Sequence, residues 1–181
     1  SVVRQMGNDM KAKIPATIAL VGLMGAGKSA IGQRLAFRLE VPFFDSDTEI
    51  EKETGSRIPE IFAQKGEAAF RIIERKVVKR LLLGPKHILA TGGGAFIDPD
   101  TRRELQGGAV TVWLKADLEV LYERVLRKDD RPLLTGPNPK DVLSKLIKLR
   151  YPIYGLADVT MKSGRGSHDK LVHKMLQELG R

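Results

Sequence analysis

The stretch GLMGAGKS, residues 22–29, constrains this chain more than any other. It fits G-x-x-x-x-G-K-[ST] in full, and it sits between an apolar, β-prone run at 17–21 and a helical pattern over 28–39. That strand–turn–helix context is what gives the motif meaning. Glycines let the backbone turn so that successive N–H groups converge on phosphate oxygens. The helix that starts there presents an N-terminus that favours anions. Lys28 is placed to reach the β- and γ-phosphates, and Ser29 to ligate Mg²⁺. The expected nucleotide contacts are Gly25, Ala26, Gly27, Lys28, Ser29 and Ala30. The motif predicts a nucleoside triphosphate, but it does not say whether water, a protein or a small molecule receives the phosphate.

The rest of the chain alternates in the same way. Apolar β-prone runs lie at 17–21, 41–44, 87–91, 110–114 and 159–161, with helical patterns at 28–39, 58–83, 117–127, 140–151 and 168–179. This predicts a parallel sheet with helices on both faces and a ligand site at the carboxyl ends of the strands. At 181 residues the chain is read as one domain over 14–181, with a flexible extension at 1–13. Segment 127–140, rich in Pro, Gly, Asp and Asn, reads as an exposed loop suited to a lid. There is no cysteine, which excludes a disulfide framework, a thiolate metal site and a cysteine nucleophile. No apolar run approaches the ~20 residues of a membrane span, and residues 1–13 lack the apolar core of a signal peptide. A cytoplasmic monomer with no membrane partner is the expectation. The net charge of +9 raises the question of nucleic acid. The basic residues are scattered, without a block or interleaved aromatics, so no nucleic-acid partner is expected; a soluble face or attraction of small anions accounts for the charge as well.

Five further segments bear on the acceptor. FFDSD, 43–47, ends the second strand run. One of Asp45 and Asp47 could hold Mg²⁺ through water while the other orients an acceptor hydroxyl and takes its proton; alternatively, Asp47, Glu49 and Glu51 merely cap and charge a helix start. Arg71 stands on one helix face with Glu67 and Glu74, either as a solvated ion-pair ladder or as a fork for a substrate carboxylate. Gly92, Gly93 and Gly94 after the third strand form either a tight turn or a place for very close approach to the backbone. Arg131 in the lid segment could reach a transferring phosphate, and Arg150 precedes YPIYG near a helix end, where a cation also suits the helix dipole.

Taken together, GLMGAGKS, FFDSDTEIE at 43–51, GEAAFR ending at Arg71, GGGA at 92–95, DRPLL at 130–134 and RYPIYGLAD at 150–158 resemble the shikimate kinase family over nearly the whole chain. The resemblance implies a three-layer α/β/α P-loop fold with a five-stranded parallel sheet, a lid loop and a helical substrate-binding region. It implies transfer of the ATP γ-phosphoryl group to the 3-hydroxyl of shikimate. It assigns Lys28, Asp47 and Arg131 to catalysis, and Ser29 and Asp45 to Mg²⁺, Asp45 through water. Arg71, Arg150, Gly92, Gly93, Gly94 and Asp47 are assigned to shikimate. Arg124 matches, more loosely, the position that packs on adenine. Many relatives carry Thr where this chain has Ala30, which removes one hydroxyl near the α-phosphate but no catalytic group. The rivals are a kinase for another hydroxy acid such as gluconate, a nucleotide-dependent nucleic-acid binder, and a non-catalytic nucleotide-binding protein.

Overall fold

A single parallel sheet forms from β1 (Thr17–Val21), β2 (Phe43–Asp45), β3 (Ile88–Ala90), β4 (Ala109–Lys115) and β5 (Val159–Lys162), in the order β2-β3-β1-β4-β5. The computed structural model describes residues 17–127 and 138–180. The expectations for 1–13, for Arg131 and for most of the lid segment therefore lie outside the described residues. In central β1, Ile18 is in register with Ile88 on one side and Val110 on the other, and all five residues are buried. Side chains alternate between the two faces of a strand, so burial of every residue means that helices cover both.

Those helices are α1 (Lys28–Leu39), α2 (Ser46–Thr54), α3 (Ile58–Leu82), α4 (Pro99–Gly108), α5 (Leu118–Leu126), α6 (Pro139–Tyr154) and α7 (His168–Leu179). α1 buries Ile31, Leu35, Ala36 and Leu39, one stripe of a 3.6-residue period. It packs against α7, which turns Val172, Met175 and Leu176 inward. Gly32 lets α1 come close to β2, since a Cβ there would stand 2.6 Å from the Phe43 ring. Among the described residues no helix is long and apolar enough to cross a membrane.

Four differences from the sequence reading have a local reason. The second strand is 43–45 rather than 41–44, because Asp45 both ends β2 and caps α2; its Oδ1 accepts from the N–H groups of Asp47 at 2.9 Å and Thr48 at 3.2 Å. The long helical pattern at 58–83 breaks at Gly66, which has φ 83 and ψ 172. α4 is a helix where the reading placed none: its buried residues are only Thr101 and Leu105, and it is started instead by Asp98, which accepts from Thr101 N at 3.1 Å, with Pro99 in the first turn. Finally, α6 continues through Pro152 to Tyr154, whose fully buried ring holds the last turn against the core.

Candidate active site

The carboxyl ends of the parallel strands lie at one edge of the sheet, and β1, β2 and β3 each deliver a part of the site there. After β1 the chain enters the loop 22–27. Gly22 has φ 144, and a Cβ there would lie 2.8 Å from the Leu114 carbonyl. Gly25 and Gly27 have φ 81 and 93. The Ala26 N–H closes a turn onto Leu23 O at 3.2 Å, and Gly27 O receives the Ile31 N–H at 2.9 Å as the first rung of α1. Lys28 folds back over this loop, its Nζ donating to Gly22 O at 2.5 Å and to Leu23 O at 3.0 Å. Arg124 of α5 donates to Gly25 O at 2.8 Å and to Gly164 O at 2.7 Å.

β2 delivers two carboxylates. Ser29 Oγ donates to Asp45 Oδ2 at 2.9 Å, so hydroxyl and carboxylate from different elements share one point beside the phosphate loop. Asp47, one residue into α2, lies in the first turn. Burial pushes its carboxyl up to about 6, with Asp45 and Glu51 adding repulsion while Lys28 and Arg71 offset part of the rise. Asp47 thus feels the phosphate-loop lysine and the Arg71 guanidinium at once. Of the bland reading of this acidic run, capping falls to Asp45, while Asp47 and Glu49 do charge the first turn of α2.

β3 delivers the three glycines. Thr91 anchors them through Oγ1 to Leu20 O at 2.8 Å, and Gly92 N–H donates to Ser46 Oγ at 3.1 Å. Each glycine faces a different side chain. A Cβ on Gly92 would stand 2.7 Å from Asp47 Oδ1, one on Gly93 would stand 3.4 Å from an Arg150 nitrogen, and one on Gly94 would stand 2.1 Å from Arg71. None of the three has positive φ; close approach, rather than an unusual turn, requires glycine here.

Arg71, Arg150 and Gly94 line a cavity of about 460 Å³ together with Glu67, Ala68, Ile97 and Asp98. Arg71 lies 2.7 Å from Glu74 and 3.6 Å from Glu67. Both ladder pairs foreseen from spacing therefore form, yet only the Glu67 rung is solvated: the Glu74 side chain is 1% exposed. Burial pushes Glu74 up to about 7 against the pull of Arg71. A carboxylate held on the inner side and a ring beneath (Phe70, 5.1 Å from the guanidinium carbon) fix Arg71 with its remaining donors toward the cavity.

Asp45, Asp47, Arg71, Arg150, Lys28, Ser29 and the three glycines are thus brought to one edge, and Arg124 stands behind the phosphate loop. Two contributors escaped the sequence reading. Glu74 was seen only as a rung of the ladder. Tyr154 donates its hydroxyl to Gly93 O at 2.6 Å and is hydrogen-bonded by Arg150; the signal for it, a tyrosine four residues after Arg150 on the same helix face, was present in RYPIYG.

A phosphate loop opening beside a pocket with two arginines, at the switch point of a parallel sheet, defines a P-loop kinase of small anionic acceptors. The family model described as Shikimate kinase matches residues 24–180. A shikimate kinase of Paramagnetospirillum magneticum is 53% identical over 154 residues, 85% of this chain and 79% of that protein. One from Caulobacter vibrioides is 52% identical over 163 residues, 90% of this chain and 82% of its own length. Among solved structures, shikimate kinase from Acinetobacter baumannii in complex with shikimate superposes with a TM-score of 0.87 at 40% identity, covering 94% of this chain and 96% of that one. The chain belongs to the shikimate kinase family.

Proposed function

We propose that this chain transfers the γ-phosphoryl group of ATP to the 3-hydroxyl of shikimate, giving shikimate 3-phosphate and ADP. Family membership supports the reaction, and one observation carries the assignment of residues. Asp47 stands between the two halves of the site, charge-coupled to Lys28 of the phosphate loop and to Arg71 of the acceptor pocket. The two halves also touch: a Cβ on Gly93 would lie 3.4 Å from Arg150 and 3.9 Å from the Met24 backbone nitrogen in the phosphate loop.

In this reading Arg71 and Arg150 fork the shikimate carboxylate in the cavity they line. The backbone of 92–94 lies along the ring, close because nothing projects from it. Asp47 accepts a hydrogen bond from the acceptor hydroxyl and takes its proton as that oxygen bonds to the γ-phosphorus and ADP leaves. A carboxyl poised near 6 is mostly ionised at neutral pH, yet basic enough to receive a proton. Lys28 neutralises the β- and γ-phosphates, and Arg131, from the lid, is proposed to join it once the substrates are bound. Arg124 is proposed to lie at the adenine end. Ala30 adds no hydroxyl to the first turn of α1.

The residues present fit a single Mg²⁺. Ser29 Oγ and Asp45 Oδ2 offer hard oxygen donors 2.9 Å apart beside the phosphate loop. Among the described residues no group of three or more His, Cys, Asp or Glu could hold a metal ion, which suits a cation that keeps several waters and shares phosphate oxygens. Ser29 would ligate it, Asp45 would hold it through water, and its charge would offset that developing on the phosphates.

The test couples ADP release to a panel of acceptors: shikimate, quinate, gluconate and nucleoside monophosphates. Release with shikimate well above the water background is expected. Equal background with shikimate, or faster release with gluconate, would sink the reading.

A further inference from the structure

The phosphate loop is held from behind by a residue of the opposite sheet edge. Ser163 follows β5 directly; its N–H donates to Lys115 O at 2.7 Å, closing the ladder at the Lys115–Lys162 pair, and the residue is 4% exposed. Its Oγ donates to Ala26 O at 2.8 Å, across 137 positions of sequence. The same Oγ receives Arg124 NH1 at 3.3 Å, and that nitrogen also donates to Gly25 O at 2.8 Å. Two consecutive carbonyls of the loop are thereby held by one small network.

In a trans peptide the C=O and N–H point in opposite directions. A group that fixes Ala26 O therefore fixes the direction of the Gly27 N–H, the donor that opens α1. Gly27 has φ 93, a conformation glycine leaves readily, so the peptide before it needs an external hold to keep one orientation. Building that hold into the ground state removes the need to order the loop when an anion arrives.

We propose that Ser163 is a positioning residue of the nucleotide site: its hydroxyl aims the Gly27 N–H at the polyphosphate while its backbone ties the loop to β5. The proposal rests on the nucleotide-binding reading above. A structural hydroxyl and a positioning hydroxyl make different demands on the affinities. If the serine only satisfies a buried carbonyl, its loss lowers stability and leaves ligand affinities alone.

The experiment measures ADP affinity by calorimetry, and KM for ATP and for shikimate, in the full chain and in Ser163→Ala, Ser163→Thr and Ser163→Cys. Loss of one hydrogen bond predicts ADP affinity and ATP KM worsened about five- to tenfold in Ser163→Ala, with shikimate KM unchanged. Ser163→Thr keeps the hydroxyl and should restore both. Ser163→Cys keeps the volume with only a weak donor and should stay impaired, which keeps the test open even where the alanine chain does not fold. ADP affinity equal to that of the parent chain in the Ala or Cys variant would overturn the proposal, as would equal loss for ADP and shikimate. A parent chain that binds no ADP would overturn the nucleotide reading itself.

Discussion

The loop after β1 and the loop after β3 are both rich in glycine, for different reasons. In the first, Gly22, Gly25 and Gly27 adopt φ values of 144, 81 and 93, so the backbone conformation itself is the requirement. In the second, Gly92, Gly93 and Gly94 keep ordinary φ, and what glycine supplies is the absence of a Cβ beside Asp47, Arg150 and Arg71. The first loop carries its chemistry in its own N–H groups and reads as a motif wherever it occurs. The second has meaning only through side chains from α2, α3 and α6. Substitutions at the two loops should therefore fail in different ways.

The largest effect is expected where the two regions meet. Asp47 touches the Gly92 position and is coupled to Lys28. Asp47→Ala should lower kcat by about 10²–10⁴, the usual range for a positioned general base. ADP affinity should hold, because the phosphate loop keeps its own contacts. Near-normal turnover would remove Asp47 from the chemistry, and a parallel collapse of ADP affinity would mean the two loops are not separable.

Next come changes confined to the acceptor side. In Gly94→Ala the new methyl would stand 2.1 Å from Arg71, so the guanidinium must leave its place 2.7 Å from Glu74. Because the far end of a side chain yields before backbone does, the fold should survive. Loss of a charge-assisted pair predicts shikimate KM raised about 10- to 100-fold in both Gly94→Ala and Arg71→Leu, with ATP KM unchanged. Steady-state kinetics with each substrate varied decides it. A Gly94→Ala chain impaired toward ATP instead would erase the distinction drawn between the loops.

This contrast also explains how far the sequence could be read. The order of strands and helices, and the phosphate loop within it, follow from local patterns: apolar runs buried on both faces, 3.6-residue stripes, and one complete motif. β2 and α4 were misplaced or missed because a capping aspartate, rather than hydrophobic periodicity, sets their boundaries. The glycine run was visible as an anomaly, but its three partners lie 45, 57 and 23 positions away along the chain and were linked to it only through family resemblance. Glu74 shows the remaining gap. Spacing predicted its pairing with Arg71, whereas burial, which changes that pair from surface ornament to rigid support, depends on tertiary packing.

pH should separate the regions less sharply. Asp47, raised to about 6, must be ionised to accept a proton, so activity is lost as pH falls. Glu74, raised to about 7, loses its hold on Arg71 in the same direction. Glu74 also feels the charge of Asp47, so ionisation of Asp47 helps keep it raised. kcat/KM for shikimate should drop about tenfold or more from pH 7 to pH 5, while ADP binding by the chain alone changes little. A profile flat over that window would show that neither carboxyl is needed in its charged form. The same shift bears on stability. Between the ordinary carboxylate value of 3.8 and about 6, the folded chain binds more protons at Asp47 than the unfolded chain. This group's contribution therefore falls as pH rises through that window and remains unfavourable at pH 7, so Asp47→Asn should melt higher than the parent when the two are compared at pH 7.

The smallest expected effect tests whether the second loop, like the first, is held by a remote side chain. Tyr154 is fully buried, and burial pushes its hydroxyl up to about 12, so it remains a proton donor to Gly93 O at 2.6 Å. By peptide planarity that bond also sets the direction of the Gly94 N–H. Tyr154→Phe removes the donor and leaves the ring packed against Trp113, whose centroid is 5.9 Å away. Because Arg150 is bonded to the same hydroxyl, the loss should reach the acceptor pocket and stop there: shikimate KM should rise about fivefold, with kcat and ATP KM little changed. A rise in ATP KM of the same size would place the Tyr154 bond in the shared scaffold of both loops.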